Sequence, residues 1–138
     1  LETRFTDLQD VLVMEMAAAY GNPNLKSLVR SFVFVKTGVP HLLLVDEFVF
    51  EEPPHSLVER LISFFEPAVL GPGRISIAGG KGRVEIEYPY REMHLEVGRE
   101  VFATQEAEEK TAYTIDLVHD CLSTKFSVKL KFLCAQEI

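Results

Sequence analysis

The chain has no tryptophan, only two cysteines, no run of 18 apolar residues and a shortage of positive charge. Each shortage removes a class of protein. No segment reads as a membrane-spanning helix, because a helix needs about 20 consecutive apolar residues to cross a bilayer. Cys121 and Cys134 are too few for a disulfide scaffold, and no Cys-x-x-Cys or paired histidines supply a zinc spacing. With 14 Lys and Arg against 21 Asp and Glu, the net charge of −7 argues against a partner whose phosphate backbone must be neutralised, so no nucleic acid is expected. The opening "LETRFTDLQD" is too polar for the apolar centre of a signal peptide, and it lacks an initiator Met. It therefore reads as a trimmed mature form or as part of something longer.

What is present fits one domain, residues 1–138, since 47% of the residues are hydrophobic and the length suits a single core. Gly and Pro punctuate short runs rich in β-branched and aromatic residues, which is a strand signature. The strands predicted are Gln9–Met16, Leu28–Thr37, His41–Phe50, Ser56–Phe65, Arg74–Ala78, Arg83–Tyr88, Glu92–Val97, Glu100–Thr104, Thr111–Asp120 and Lys125–Cys134. About ten strands separated by turn signals predict an all-β chain folded as an antiparallel β-sandwich.

In "RVEIEY", Val84, Ile86 and Tyr88 alternate with Glu85 and Glu87, and "KFSVKLKF" repeats the pattern, so these strands are half-buried. "FVFV" and "HLLLV" are apolar on both faces and suit central strands covered on both sides by sheet or by a neighbouring domain. Ser56–Phe65 conflicts with itself. Leu57, Val58, Leu61, Ile62 and Phe65 have helical spacing, and Ser56 with Glu59 resembles a capping box, yet strands and prolines border the segment on both sides. It is assigned as a strand.

If "AYTIDLVHDCLSTKFSVKLKFLC" turns back near Leu122–Thr124 as a hairpin, Cys121 faces about Lys125 and Cys134 about Ala112, and the two are buried free thiols. The acidic run "QEAEEK", Gln105–Lys110, is a solvated loop.

The chemistry-bearing residues are scattered. A hairpin centred on Gly38 and Val39 brings Arg30 near Asp46 or Glu47, where a guanidinium grips a carboxylate across the strands; this predicts a structural ion pair of Arg30, Asp46 and Glu47. His41, His55, His94 and His119 occur singly, with neither metal-ligand spacing nor a placed catalytic partner, so no metal or cofactor is expected. Glu85 and Glu87 share a strand face, where adjacent glutamates read as solvated rather than as the acid–base pair of a glycosidase. "GPGRISIAGGKGR" lacks the Lys-Ser/Thr of a phosphate loop and reads as a strand between turns, with Gly79, Gly80 and Gly82 permitting positive φ. Tyr20, Tyr88 and Tyr90 are the residues proposed for contact with a sugar ring.

The order "AAAYGNPNLKSLVRSFVFVKTGVPHLLLVDEFVFEEPPHSLVERL" resembles the C-terminal β-sandwich part of heparinase II/III-like polysaccharide lyases, through Ala19 and Tyr20, Arg30, Asp46 and His55, over about Ala17–Pro67. The resemblance implies a supersandwich of antiparallel sheets behind an α/α toroid. It also implies β-elimination of uronate-containing glycans such as bacterial lyases perform, by groups coming mainly from the toroid and from the first part of the sandwich. The partners implied are an upstream α/α toroid and central β-sheet region of the same parent chain, and an acidic polysaccharide such as a glycosaminoglycan bound through that parent. A homodimer is left open, and secretion or the periplasm is implied with the cytoplasm left open. No His-x-His-x-x-Gly-like stretch is present, so the catalytic set is not expected in these residues, and Arg30 and Asp46 are expected to be scaffold.

Overall fold

The structure is a computed structural model and describes residues 1–120 and 122–135. Its elements in chain order are β1 (Glu2–Phe5), β2 (Gln9–Glu15), α1 (Ala17–Tyr20), β3 (Leu25–Val35), β4 (His41–Phe50), β5 (Val58–Ser63), β6 (Pro67–Gly71), β7 (Arg74–Gly79), β8 (Gly82–Glu87), β9 (Met93–Ala103), β10 (Glu109–His119) and β11 (Lys125–Ala135). All the pairings are antiparallel. One sheet has eight strands in the order β1-β2-β3-β4-β11-β8-β7-β6, and the other has three in the order β5-β10-β9. The chain is an all-β sandwich.

The core lies where the inward side chains of the two sheets meet. From the large sheet come Leu28, Leu44, Phe48, Phe50, Ile75, Ile86, Val128 and Leu130; Met93, Ile115 and Leu117 come from the small one. Period-two alternation puts these residues on one side of each strand, and burying each such side chain contributes about 1.5–3 kcal/mol before entropy is charged against it. Phe126 stacks on both Phe48 and Phe50, with ring centroids 5.2 and 5.8 Å away. The outward face of β3 and β4 keeps Val29, Val33, Leu43, Val45 and Val49 half-buried side by side, and among the described residues no further layer packs on it.

Several sequence expectations change in three dimensions. Glu92–Val97 and Glu100–Thr104 are one strand, β9, which runs through Gly98. A Cβ at Gly98 would collide with the Thr114 hydroxyl on β10, so the glycine marks a close approach of two strands and not a turn. Two strands were not foreseen: β1, and β6, which begins at Pro67 on a sheet edge where no ladder N–H is needed. The short helix α1 was also not foreseen. Ser56–Phe65 is extended as assigned, with β5 at Val58–Ser63.

The β10–β11 hairpin does not form. β10 pairs with β5 and β9, whereas β11 crosses to the other sheet and pairs with β4 and β8. Ile115 and Leu117 of β10 and Val128 and Leu130 of β11 are all buried in the one core, which they enter from opposite sheets. Cys134, paired with Val84 near the end of β11, is exposed rather than buried; the expectation for Cys121 lies outside the described residues. Of Gly79, Gly80 and Gly82, only Gly80 has a positive φ, at 58°, since a single left-handed residue closes the β7–β8 turn.

Candidate functional site

The β3–β4 register sets Arg30 directly opposite Asp46, and alternation turns both side chains inward. Arg30 Nε donates to Asp46 Oδ1 at 2.7 Å and Nη2 to Oδ2 at 2.6 Å, a fork-to-fork grip with Asp46 only 1% exposed. The same alternation sends Glu47 to the opposite face. It is exposed there, opposite Val29 and Ser127, and is not part of the pair.

The third member of the cluster comes from the other sheet. Glu59 on β5 points into the sandwich, with Oε2 3.6 Å from Arg30 Nη2 and its side chain 10% exposed. Burial is the main cause that pushes its acid range up, to about 8, with the hydrogen bond to Asp46 and the Asp46 charge adding to it and the Arg30 charge opposing. Glu59 is therefore a neutral acid at neutral pH and donates its proton toward Asp46. Arg30 is held above its ordinary range, first by the Asp46 hydrogen bond, with burial working against it. In the sequence this segment is assigned as a strand, but Glu59 figures there only as half of a capping box and so is not joined to Arg30 and Asp46. The signal was available: in a strand, Glu59 is in phase with Leu57 and Leu61, so a carboxyl sits where the core face runs.

Above this cluster lies a cavity of about 220 Å³, walled by Leu25, Leu28, Phe48, Phe50 and Leu57 and reaching Tyr20, Asn22, Pro54 and Ser56 at its mouth. Local bonds set the mouth. Asn22 Oδ1 accepts from the Asn24 N–H at 3.0 Å, and Asn24 then exchanges two bonds with the Glu52 backbone, at 3.0 and 2.9 Å. The carboxylate of Glu15 accepts from the N–H groups of Ala17 and Leu28, which anchors α1 and holds Glu15 below the usual carboxylate range. Tyr20, the last residue of α1, is 56% exposed on the rim.

The other nominated residues are not gathered here. Tyr88 is partly buried against the core, and Tyr90 is exposed beneath Arg91, whose guanidinium carbon is 5.9 Å from the ring centroid. Glu85 is bridged by Arg74 and Arg83 at 3.0 Å each, so Glu85 and Glu87 belong to a charged outer face. His41 Nδ1 lies 2.9 Å from the Val39 carbonyl oxygen, and His55 is exposed. His94 is held between Asp120 and Glu96, which raise its acid range, Asp120 foremost. His119 is buried against Phe126, with neither ring nitrogen hydrogen-bonded to the protein. Among the described residues no group of three or more His, Cys, Asp and Glu is placed to hold a metal ion.

The architecture defines a two-sheet antiparallel sandwich with an ionic cluster tying its layers, and that fold recurs in known structures. The heparan sulfate lyase HepC from Pedobacter heparinus matches 99% of this chain at a TM-score of 0.69 and 14% identity, over 21% of its own length. A mutant of the same lyase matches at 0.67 over 22% of its length, and a heparinase III with methylated lysines matches at 0.64 and 15% identity over 21%. The chain thus has the fold of a heparinase-like β-sandwich region and spans about a fifth of the lyases it matches. No family model matches it, and neither does any curated protein sequence.

Proposed function

We propose that this chain is an accessory β-sandwich domain of a polysaccharide lyase that cleaves uronate-containing glycans by β-elimination, and that it is catalytically incomplete by itself. The observation that carries the reading is the extent of the match: nearly the whole chain is used, while only about a fifth of each lyase is covered. In this reading the acid–base groups and the glycan cleft belong to an α/α toroid and a central sheet of the same parent chain. The half-buried outward valines of β3 and β4 suit a face that such a neighbour covers. Arg30 and Asp46 then serve as scaffold, because each is engaged by the other inside the sandwich. Tyr20 stands on the cavity rim with no catalytic partner.

The test is the ultraviolet absorbance of unsaturated uronate product, followed for this chain and for the full-length gene product with a panel of acidic polysaccharides. Turnover by the full-length protein alone is the expected result. Turnover by these 138 residues would overturn the reading.

A further inference from the structure

Charges removed from water are matched by a counter-charge or neutralised by a proton. Beneath the cavity the fold assembles two carboxyl groups, Asp46 and Glu59, and one guanidinium, Arg30, whose fork is already engaged by both oxygens of Asp46. Glu59 is the group left without a full partner. Its side chain is nine-tenths buried, no N–H or O–H of the protein donates to its Oε1, and it lines the cavity.

The rest of the lining narrows the ligand. The charged or titratable groups facing Glu59 are Arg30 from β3, Asp46 from β4 and the Tyr20 phenol from α1, and among the described residues no Lys or His lines the cavity. An anion would meet an excess of acid. A neutral apolar molecule would leave the buried Glu59 Oε1 still without a hydrogen-bond donor, and a divalent ion would find one free carboxyl among aromatic rings and aliphatic walls. A single positive head on an apolar stem satisfies both features: its charge balances Glu59, and its methylenes lie against Leu25, Leu57, Phe48 and Phe50.

We propose that this cavity is a binding site for a primary alkylammonium group, its head paired with the Glu59 carboxylate and its stem enclosed between the Phe48 and Phe50 side of the pocket and the Tyr20 rim. The volume, about 220 Å³, suits a lysine-like chain rather than a large ligand. The same chemistry is offered by a free amine and by a lysine side chain of another polypeptide segment. Because Glu59 keeps its proton up to about pH 8, binding at neutral pH transfers that proton to solvent: the neutral acid and the ammonium become an ion pair plus one released proton. An alkylammonium stays charged throughout this range.

The experiment titrates this chain with n-butylamine, Nα-acetyl-lysine amide, n-butanol and butyrate, followed by amide NMR shifts near Leu57–Arg60 and by calorimetry in buffers of different ionisation enthalpy. Saturable binding of an amine, tightening roughly 25-fold between about pH 6.5 and 8.5 and releasing about one proton at the lower pH, is the expected result. Butylamine binding alone assigns the site to free amines, and binding of the lysine amide assigns it to a protein side chain. Glu59→Gln, whose amide still donates to Asp46, loses the binding. Tyr20→Ser, at the exposed rim, weakens it without touching the core and serves as the second variant should Glu59→Gln fold poorly. Equal binding of butanol and butylamine, or no saturable shift with either amine, overturns the proposal.

Discussion

Two arginine–aspartate pairs in this sandwich have nearly the same geometry and opposite settings. Arg30 holds Asp46 through contacts of 2.7 and 2.6 Å between the layers, and Arg60 holds Asp116 through two contacts of 2.7 Å on the outer face of the small sheet. Both pairs join cross-strand neighbours in register. The difference is solvent: Asp46 is 1% exposed, whereas the Arg60 side chain is 59% exposed. Identical hydrogen bonds therefore carry different consequences. In water an unpaired carboxylate is solvated at little cost, but inside the sandwich the loss of one partner strands the other in a poorly polarisable medium.

The largest effect expected follows from breaking the inner pair. Arg30→Ala leaves Asp46 and Glu59 buried with no cation, and a loss of about 3–5 kcal/mol in the urea unfolding free energy is predicted. A loss as small as that from the outer pair would show that water reaches the inner site.

Next in size is the pH response of Glu59, which the outer pair cannot imitate. Its folded acid range lies near 8 and its unfolded one in the ordinary carboxylate range, so between these values the folded state binds more protons than the unfolded. Stability from this group is fully present below about pH 4.5, falls as pH rises toward about 8, and is flat beyond. Glu59→Gln should remove that slope and raise stability at pH 8 by on the order of 2 kcal/mol, read from urea midpoints across the pH series. Asp116 has the opposite sign. Arg60 holds it below its usual range, so its contribution is present at neutral pH and is lost as pH falls through its folded range.

Arg60→Ala should move the urea midpoint by only a small fraction of the Arg30 effect, and 1 M salt should erase the difference from the parent chain. The smallest change belongs to His94. Asp120 and Glu96 raise its acid range, so its stabilisation is present below the ordinary histidine range and lost as pH rises through the raised value. His94→Gln should alter unfolding only on that acid side, again in a urea series.

The inner pair was legible in the sequence because it is local. The Thr-Gly-Val-Pro break marks a hairpin, which narrows the partner of Arg30 to Asp46 or Glu47; the register in the structure sets Arg30 against Asp46 and turns Glu47 away. Glu59 was not legible as its partner, because it arrives from a different sheet and its segment carries a helical pattern that the extended β5 overrides. The failed β10–β11 hairpin has the same origin. Thr111–Asp120 and Lys125–Cys134 were recognisable as strands one by one, but nothing local says that neighbours in sequence will join opposite layers.

By itself, then, the sequence determined the all-β class, most of the strands, the inward and outward faces of β8 and β11, and that Arg30 meets Asp46 or Glu47, since these depend on period-two alternation and on contacts across one short turn. Only the tertiary structure decided which strands share a sheet, where the cavity lies, and that Glu59 holds its proton to about pH 8. Those properties come from burial and from charges brought together by chain segments far apart in sequence, and desolvation has no signature in a local pattern.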